Sequence, residues 1–282
     1  MVGAGITAIV ARLDAVVKFF GPSELKFFER EKLVYERLGR DHSGIVRYFG
    51  VLENAIILQF ASRTSIRQYV ANQKQVPLSL KLRWIEQLFD AVQFIHSREV
   101  LHGDISCNNV FLDEDLNIQL GDFGGSAIDG HSPLVCYEAS HELPDQDISS
   151  NTELFALGST AYEIMTGSKP YKDLLDHEIS TAFSEGRYPD PETVPALRHT
   201  IMGCWKQRYA TVEEAFGEVK LEGTFNSLAR QQKLTIRLVA TIKEPHRFLA
   251  LLCRRSISIP FLLTVVSLVP VVGWVKRWRL LQ

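Results

Sequence analysis

Residues 101–124, LHGDISCNNVFLDEDLNIQLGDFG, restrict the fold of this chain more than any other stretch. A polar loop leads into two short β-rich runs, NVFLD and NIQLGDF, joined by EDL. Asp104 and Asn109 lie five residues apart in the loop, and Asp122 comes just after the strand pair. Either these groups are set to hold metal and phosphate, or the unit is a polar hairpin and nothing more. The flanking sequence decides between the two.

Upstream the pattern is mostly strand. ITAIVARL and AVVKFF are short β-rich runs, GIVRYFGVL and AIILQF form another pair, and between them lies one helix. Ser23 is the expected cap of that helix, Phe27, Phe28, Leu33, Val34 and Leu38 its apolar face, and Gly39 its end. Downstream the pattern is helical. Trp84, Ile85, Leu88, Val92 and Ile95 make a core stripe over 80–97, and further helices are expected in TELFALGSTAYEIMTG, DHEISTAFSEG, ALRHTIMGCW and TVEEAFGEV. A small β-rich lobe followed by a larger helical lobe is the expected α/β (α+β) architecture.

Phosphoryl transfer asks a protein mainly for positioning and charge neutralisation: metal ligands, a cation on the phosphates, and an acceptor for the incoming hydroxyl's proton. Magnesium, a hard cation, takes carboxylate and amide oxygens. Asp104, Asn109 and then Asp122-Phe123-Gly124 supply those types in an order that resembles the protein-kinase catalytic loop and its DFG motif. The resemblance implies that Asp104 is the catalytic base, that Asn109 and Asp122 hold magnesium, and that His102 supports the loop.

Other parts of the protein-kinase pattern stand in the same order. VGAGITAIV would cover the phosphates of ATP with Gly3, Ala4 and Gly5, with Val10 after them, and AVVK then brings Lys18. Lys18 would pair with a helix glutamate; of Glu29, Glu31 and Glu36, register favours Glu31. In AIILQFAS, Leu58 would be the gatekeeper, and Gln59 and Ala61 would offer backbone groups to adenine. The resemblance extends over about residues 2–222, at its most specific to fungal protein-kinase-domain proteins with HGDISCNN-type loops. It implies ATP and Mg2+ as cofactors, a protein substrate as partner, Ser/Thr hydroxyls as acceptors, and lobes at 1–60 and 61–222.

Several positions depart from that pattern. Gly103 replaces an arginine that usually grips a phosphorylated activation loop, so dependence on such phosphorylation is not expected. Ser106 stands where serine/threonine kinases carry a phosphate-contacting lysine, and Glu153 where the supporting helix begins with aspartate. Glu142 is the candidate for the glutamate that closes the segment after DFG. HGD also occurs in small-molecule phosphotransferases resembling aminoglycoside and choline kinases, and in the atypical kinase of the KEOPS tRNA-modification complex. Those classes, and a nucleotide-binding pseudokinase, remain the alternatives.

Charge sets off the last sixty residues: 223–282 hold 10 Lys/Arg and one acid, whereas 1–222 hold 21 Lys/Arg and 32 acids. With a formal net charge of −2 overall, no nucleic-acid partner is expected. Residues 223–256 read as a basic linker and 276–282 as a basic end. Between them 257–275, ISIPFLLTVVSLVPVVGWV, runs uncharged for just long enough to cross a bilayer, so membrane attachment there is one expectation and a buried or interfacial hairpin the other. The opening residues lack a signal-peptide pattern, and the four cysteines form no CxxC pair. A kinase domain in the cytoplasm is the compartment these features favour.

Overall fold

Pro22 starts a 3-10 turn over Pro22–Glu24, and the Glu24 carboxylate turns back to accept the Gly21 N–H at 3.1 Å. The next helix, α1 (Leu25–Leu38), is therefore capped at Glu24, and Ser23 lies inside the turn instead of capping it. Gly39, at φ 69°, ends the helix as expected. Its buried face is Phe28, Glu31, Val34, Tyr35 and Leu38, one stripe at helical spacing with a single charge in it.

The computed structural model describes residues 3–4, 9–10, 13–73 and 75–224. The chain divides into two units, Met1–Gly223 and Thr224–Gln282, and the first holds both lobes of the expected architecture. The expected segment 257–275 lies outside the described residues, among which no helix is long and apolar enough to cross a membrane.

In the N-lobe, β1 (Gly3–Ala4) pairs with β2 (Ile9–Val10), Gly3 opposite Val10. A second antiparallel sheet has β5 (Ala55–Gln59) between β3 (Ala15–Phe19) and β4 (Tyr48–Leu52). Its register sets Lys18 opposite Ile56. The C-lobe is mostly helix. α2 (Ile66–Asn72) and α3 (Leu78–Ser97) lead into β6 (Val100–Leu101), the hairpin β7 (Val110–Leu112) and β8 (Ile118–Leu120), and then β9 (Ala127–Ile128), which pairs back on β6. After these come α4 (Ser150–Thr166), α5 (Asp176–Ser184), α6 (Arg198–Trp205) and α7, helical over 212–224. The two-lobed architecture is the expected one.

Two features fix the floor on which the polar loop sits. α3 grips the β7–β8 turn: Trp84 Nε1 donates to the Leu116 carbonyl at 2.8 Å, and Gln87 Oε1 accepts the Ile118 N–H at 3.1 Å. α4 is buried along nearly all its length and crosses α6 at Gly158, where a Cβ would come within 2.7 Å of the Cys204 Cβ. Any larger residue there would force the helices apart.

Candidate active site

Lys18 on β3 reaches two carboxylates at once, Glu31 of α1 and Asp122 after β8, each at 2.7 Å. Glu31 is fully buried, which explains a charge inside an apolar helix stripe: its partner comes from the neighbouring sheet. Burial works against the Lys18 ammonium, but the Glu31 and Asp122 charges outweigh it and leave its pKa above the ordinary lysine value. The same burial raises the Glu31 pKa, only partly offset by Lys18.

The 102–109 loop is tied to the strand hairpin through His102. Its Nδ1 accepts the Asp104 N–H at 3.2 Å, which places the ring proton on Nε2, and Nε2 donates to the Gly121 carbonyl at 3.0 Å. Asn109 Nδ2 donates to both the Asp104 carbonyl and Asp104 Oδ2, at 2.8 Å each. Burial lifts the Asp104 carboxyl above its ordinary range. Asp122 adopts φ 65°, which an aspartate tolerates better than most residues. Phe123 beside it is buried against Tyr35 and His102, with ring centroids at 5.2 and 4.9 Å.

Above this floor is a cavity of about 520 Å³ lined by Val16, Lys18, Leu58, Gln59, Ala61 and Asp122, among others. Gln59 spends its N–H on the Arg47 carbonyl at 2.8 Å, and the Ala61 carbonyl accepts the Thr64 N–H at 3.3 Å. Gly3, Ala4 and Val10 fall on the β1–β2 hairpin, and Gly5 is outside the described residues. Ser106 is buried, and its Oγ accepts the Asn108 N–H at 3.4 Å, so it presents no cation to the cleft.

The segment after Asp122 is closed differently from expectation. A 3-10 turn at Ala139–His141 buries His141 and leaves Glu142 half-buried in an extended stretch. Glu138, four residues earlier, is the anchor: it accepts from Arg67 at 2.6 Å and Lys169 at 2.9 Å, while Arg67 also pairs with Glu163 at 2.7 Å. Burial alone would push the Glu138 carboxyl up, but the hydrogen bonds from Arg67 and Lys169 bring it down to about 2. A carboxylate held below its ordinary 4.5 adds stability above that pH and loses it as pH falls toward 2. Glu138→Gln should therefore lose less melting temperature than the wild type on going from about pH 5 to about pH 3. Equal losses in thermal denaturation would refute the anchor.

The sequence profile of the protein tyrosine and serine/threonine kinase family matches residues 12–212, well over half of the chain. The chain belongs to this family. It is similar to the serine/threonine/tyrosine-protein kinase HT1 of Arabidopsis thaliana, 24% identical over 196 residues that cover 64% of this chain and 50% of that protein. It is also similar to the Aurora kinase of Schizosaccharomyces pombe, 28% identical over 49% of this chain and 42% of the relative. A third is the megakaryocyte-associated tyrosine-protein kinase of Rattus norvegicus, 25% identical over 58% of this chain and 38% of the relative. The matched part of the chain thus spans half or less of these relatives.

Proposed function

We propose that this kinase domain transfers the γ-phosphate of Mg·ATP to Ser/Thr hydroxyls of a protein substrate. One observation carries the reading: Lys18 contacts Glu31 and Asp122 together, at 2.7 Å each, beside a cavity large enough for a nucleotide. The lysine–glutamate pair and the DFG aspartate must both be in place for phosphoryl transfer in protein kinases.

The donor set fits a hard cation. Asp122 offers carboxylate oxygen, and Asn109, with its Nδ2 committed twice to Asp104, has Oδ1 left as an acceptor. These two residues would hold magnesium, which when bound neutralises the phosphate charge that builds up during transfer. Lys18, held by Glu31, gives the phosphates a fixed cation. Asp104, oriented by the Asn109 amide, accepts the proton of the acceptor hydroxyl as that oxygen attacks. Gln59 and Ala61 border the adenine end. Serine and threonine are the acceptors we propose; the relatives include both acceptor classes.

The full-length protein should transfer label from Mg·[γ-32P]ATP to itself or to a generic basic protein, and Asp104→Ala and Lys18→Met should not. Equal labelling by Asp104→Ala would overturn the assigned base. A wild type that ATP stabilises against heating, but that labels nothing, would be a nucleotide-binding domain without protein-kinase activity. Phosphoamino-acid analysis of the product separates serine and threonine from tyrosine.

A further inference from the structure

We infer that Arg30 and Arg37 are positioning residues that hold α1, and with it Glu31, in the arrangement that pairs Lys18, without any phosphate on the 122–137 segment. This rests on the proposed phosphoryl-transfer function. Arg30 Nη1 donates to the backbone carbonyls of Ser126 and of Ser132, the latter at 2.9 Å. Arg37 Nη2 donates to both carboxylate oxygens of Asp129, at 2.8 and 2.7 Å, and its Nη1 to the Arg98 carbonyl at 3.3 Å. The two arginines are seven residues apart, two helical turns or about 10 Å along one side of α1. Two anchors on one side resist rotation of the helix about its axis, the motion that would carry Glu31 off Lys18.

Ser126 transmits the constraint inward. Its Oγ donates to the His102 carbonyl at 3.0 Å, and its N–H to the Phe123 carbonyl at 3.1 Å. Arg30 is thus two hydrogen bonds from the loop that carries Asp104, and it is the chain neighbour of Glu31. None of these acceptors needs a modification: three are backbone carbonyls and one is the side-chain carboxylate of Asp129. Position 103 has no side chain to compete for this role. Gly103 has φ 80°, a backbone conformation that strains any side chain, and a Cβ there would come within 3.3 Å of Ile148 Cδ1, so the arginine of the kinase pattern would be disfavoured at this position.

The test uses the full chain treated with a broad-specificity protein phosphatase, in wild type, Arg30→Met, Arg37→Asp, Asp129→Arg and the double variant Arg37→Asp/Asp129→Arg. Turnover and the ATP KM are read with a generic basic protein as acceptor, together with hydrogen exchange over residues 25–38. Phosphatase treatment should leave wild-type turnover unchanged. Each single variant should lose about tenfold or more in kcat, because small misplacements are costly in transfer geometry, and should exchange faster in 25–38. The double variant should regain both, since the pair is re-formed with its charges exchanged. Loss of wild-type turnover on dephosphorylation, single variants equal to wild type, or a double variant no better than the singles would each overturn the inference. If Arg30→Met fails to fold, the charge exchange at 37 and 129 still decides. If the wild type transfers nothing, the transfer reading fails, and the clamp stands or falls on whether exchange rises in Arg37→Asp and returns in the double variant.

Discussion

Asp122→Asn should abolish phosphoryl transfer while leaving the fold standing. The asparagine matches the aspartate in shape and is among the few residues that tolerate the positive φ of 65° at this position. What the substitution removes structurally is one ion pair between side chains that are 34% and 50% exposed. Solvent screening limits such a pair to about 0–1 kcal/mol, or a few degrees of melting temperature for a domain of this size. Lys18 keeps its second partner, Glu31, so the N-lobe contact survives. The chemistry has no such reserve. A neutral amide takes away the formal charge that would face both magnesium and Lys18, and removing one preorganised electrostatic contact commonly costs about 100- to 1,000-fold in kcat. Loss of a charged metal ligand belongs at the upper end of that range or beyond it. The check is 32P transfer and thermal melting on the same samples. Transfer at the wild-type rate would remove Asp122 from the metal site, and a melting temperature lowered by tens of degrees would show that the residue is structural.

The parts of this site that could be read from the sequence share one property: their signal is local. The spacing from Asp104 to Asn109 and the hairpin leading to Asp122 occupy a single run of about twenty residues, and AVVK carries its lysine inside a β-rich pattern. Glu31 could be chosen over Glu29 and Glu36 from register against the kinase pattern, with GIVRYFG following, and only Glu31 of the three is buried. The pairings without a local signal join distant points. Arg30 meets Ser126 and Ser132, Arg37 meets Asp129, and Arg67 bridges Glu138 and Glu163, all contacts across 71 to 102 residues. No periodicity records such a partner, since an exposed helix arginine and a bridging one look alike in sequence. Glu142 fails as the closing glutamate for the same reason: its distance along the chain is plausible, but the 3-10 turn at Ala139–His141 carries Glu138 to the basic partners instead.

Glu153→Ala should be the most destabilising single change among the polar residues of the site. The Glu153 carboxylate is fully buried and joins three segments: Oε1 accepts the Gly103 N–H at 2.8 Å and the Tyr137 hydroxyl at 3.3 Å, and Oε2 accepts from His96 Nε2 at 2.5 Å. Burial, reinforced by the Glu153 charge, holds the Tyr137 hydroxyl protonated far above the ordinary tyrosine range, so it stays a donor. The carboxylate also lies in the first turn of α4, where the helix dipole favours negative charge. Alanine would strand the Gly103 and Tyr137 donors in the interior, at about 1–3 kcal/mol for each unsatisfied group. Together with the lost hydrogen bond from His96, the total should reach about 3–5 kcal/mol, two stranded donors plus one lost bond to a carboxylate. At about 2–4 °C per kcal/mol this is a fall on the order of 10 °C, and transfer should decline with it because Gly103 directly precedes Asp104. Glu153→Gln should cost less, since an amide oxygen can still serve Gly103, although its NH2 then meets the His96 donor. Glu153→Asp should lie between the two, the shorter side chain giving up at least one of three partners. A melting temperature for Glu153→Ala within about 2 °C of wild type, less than 1 kcal/mol on this scale, would show that the three segments are held together by something other than this carboxylate.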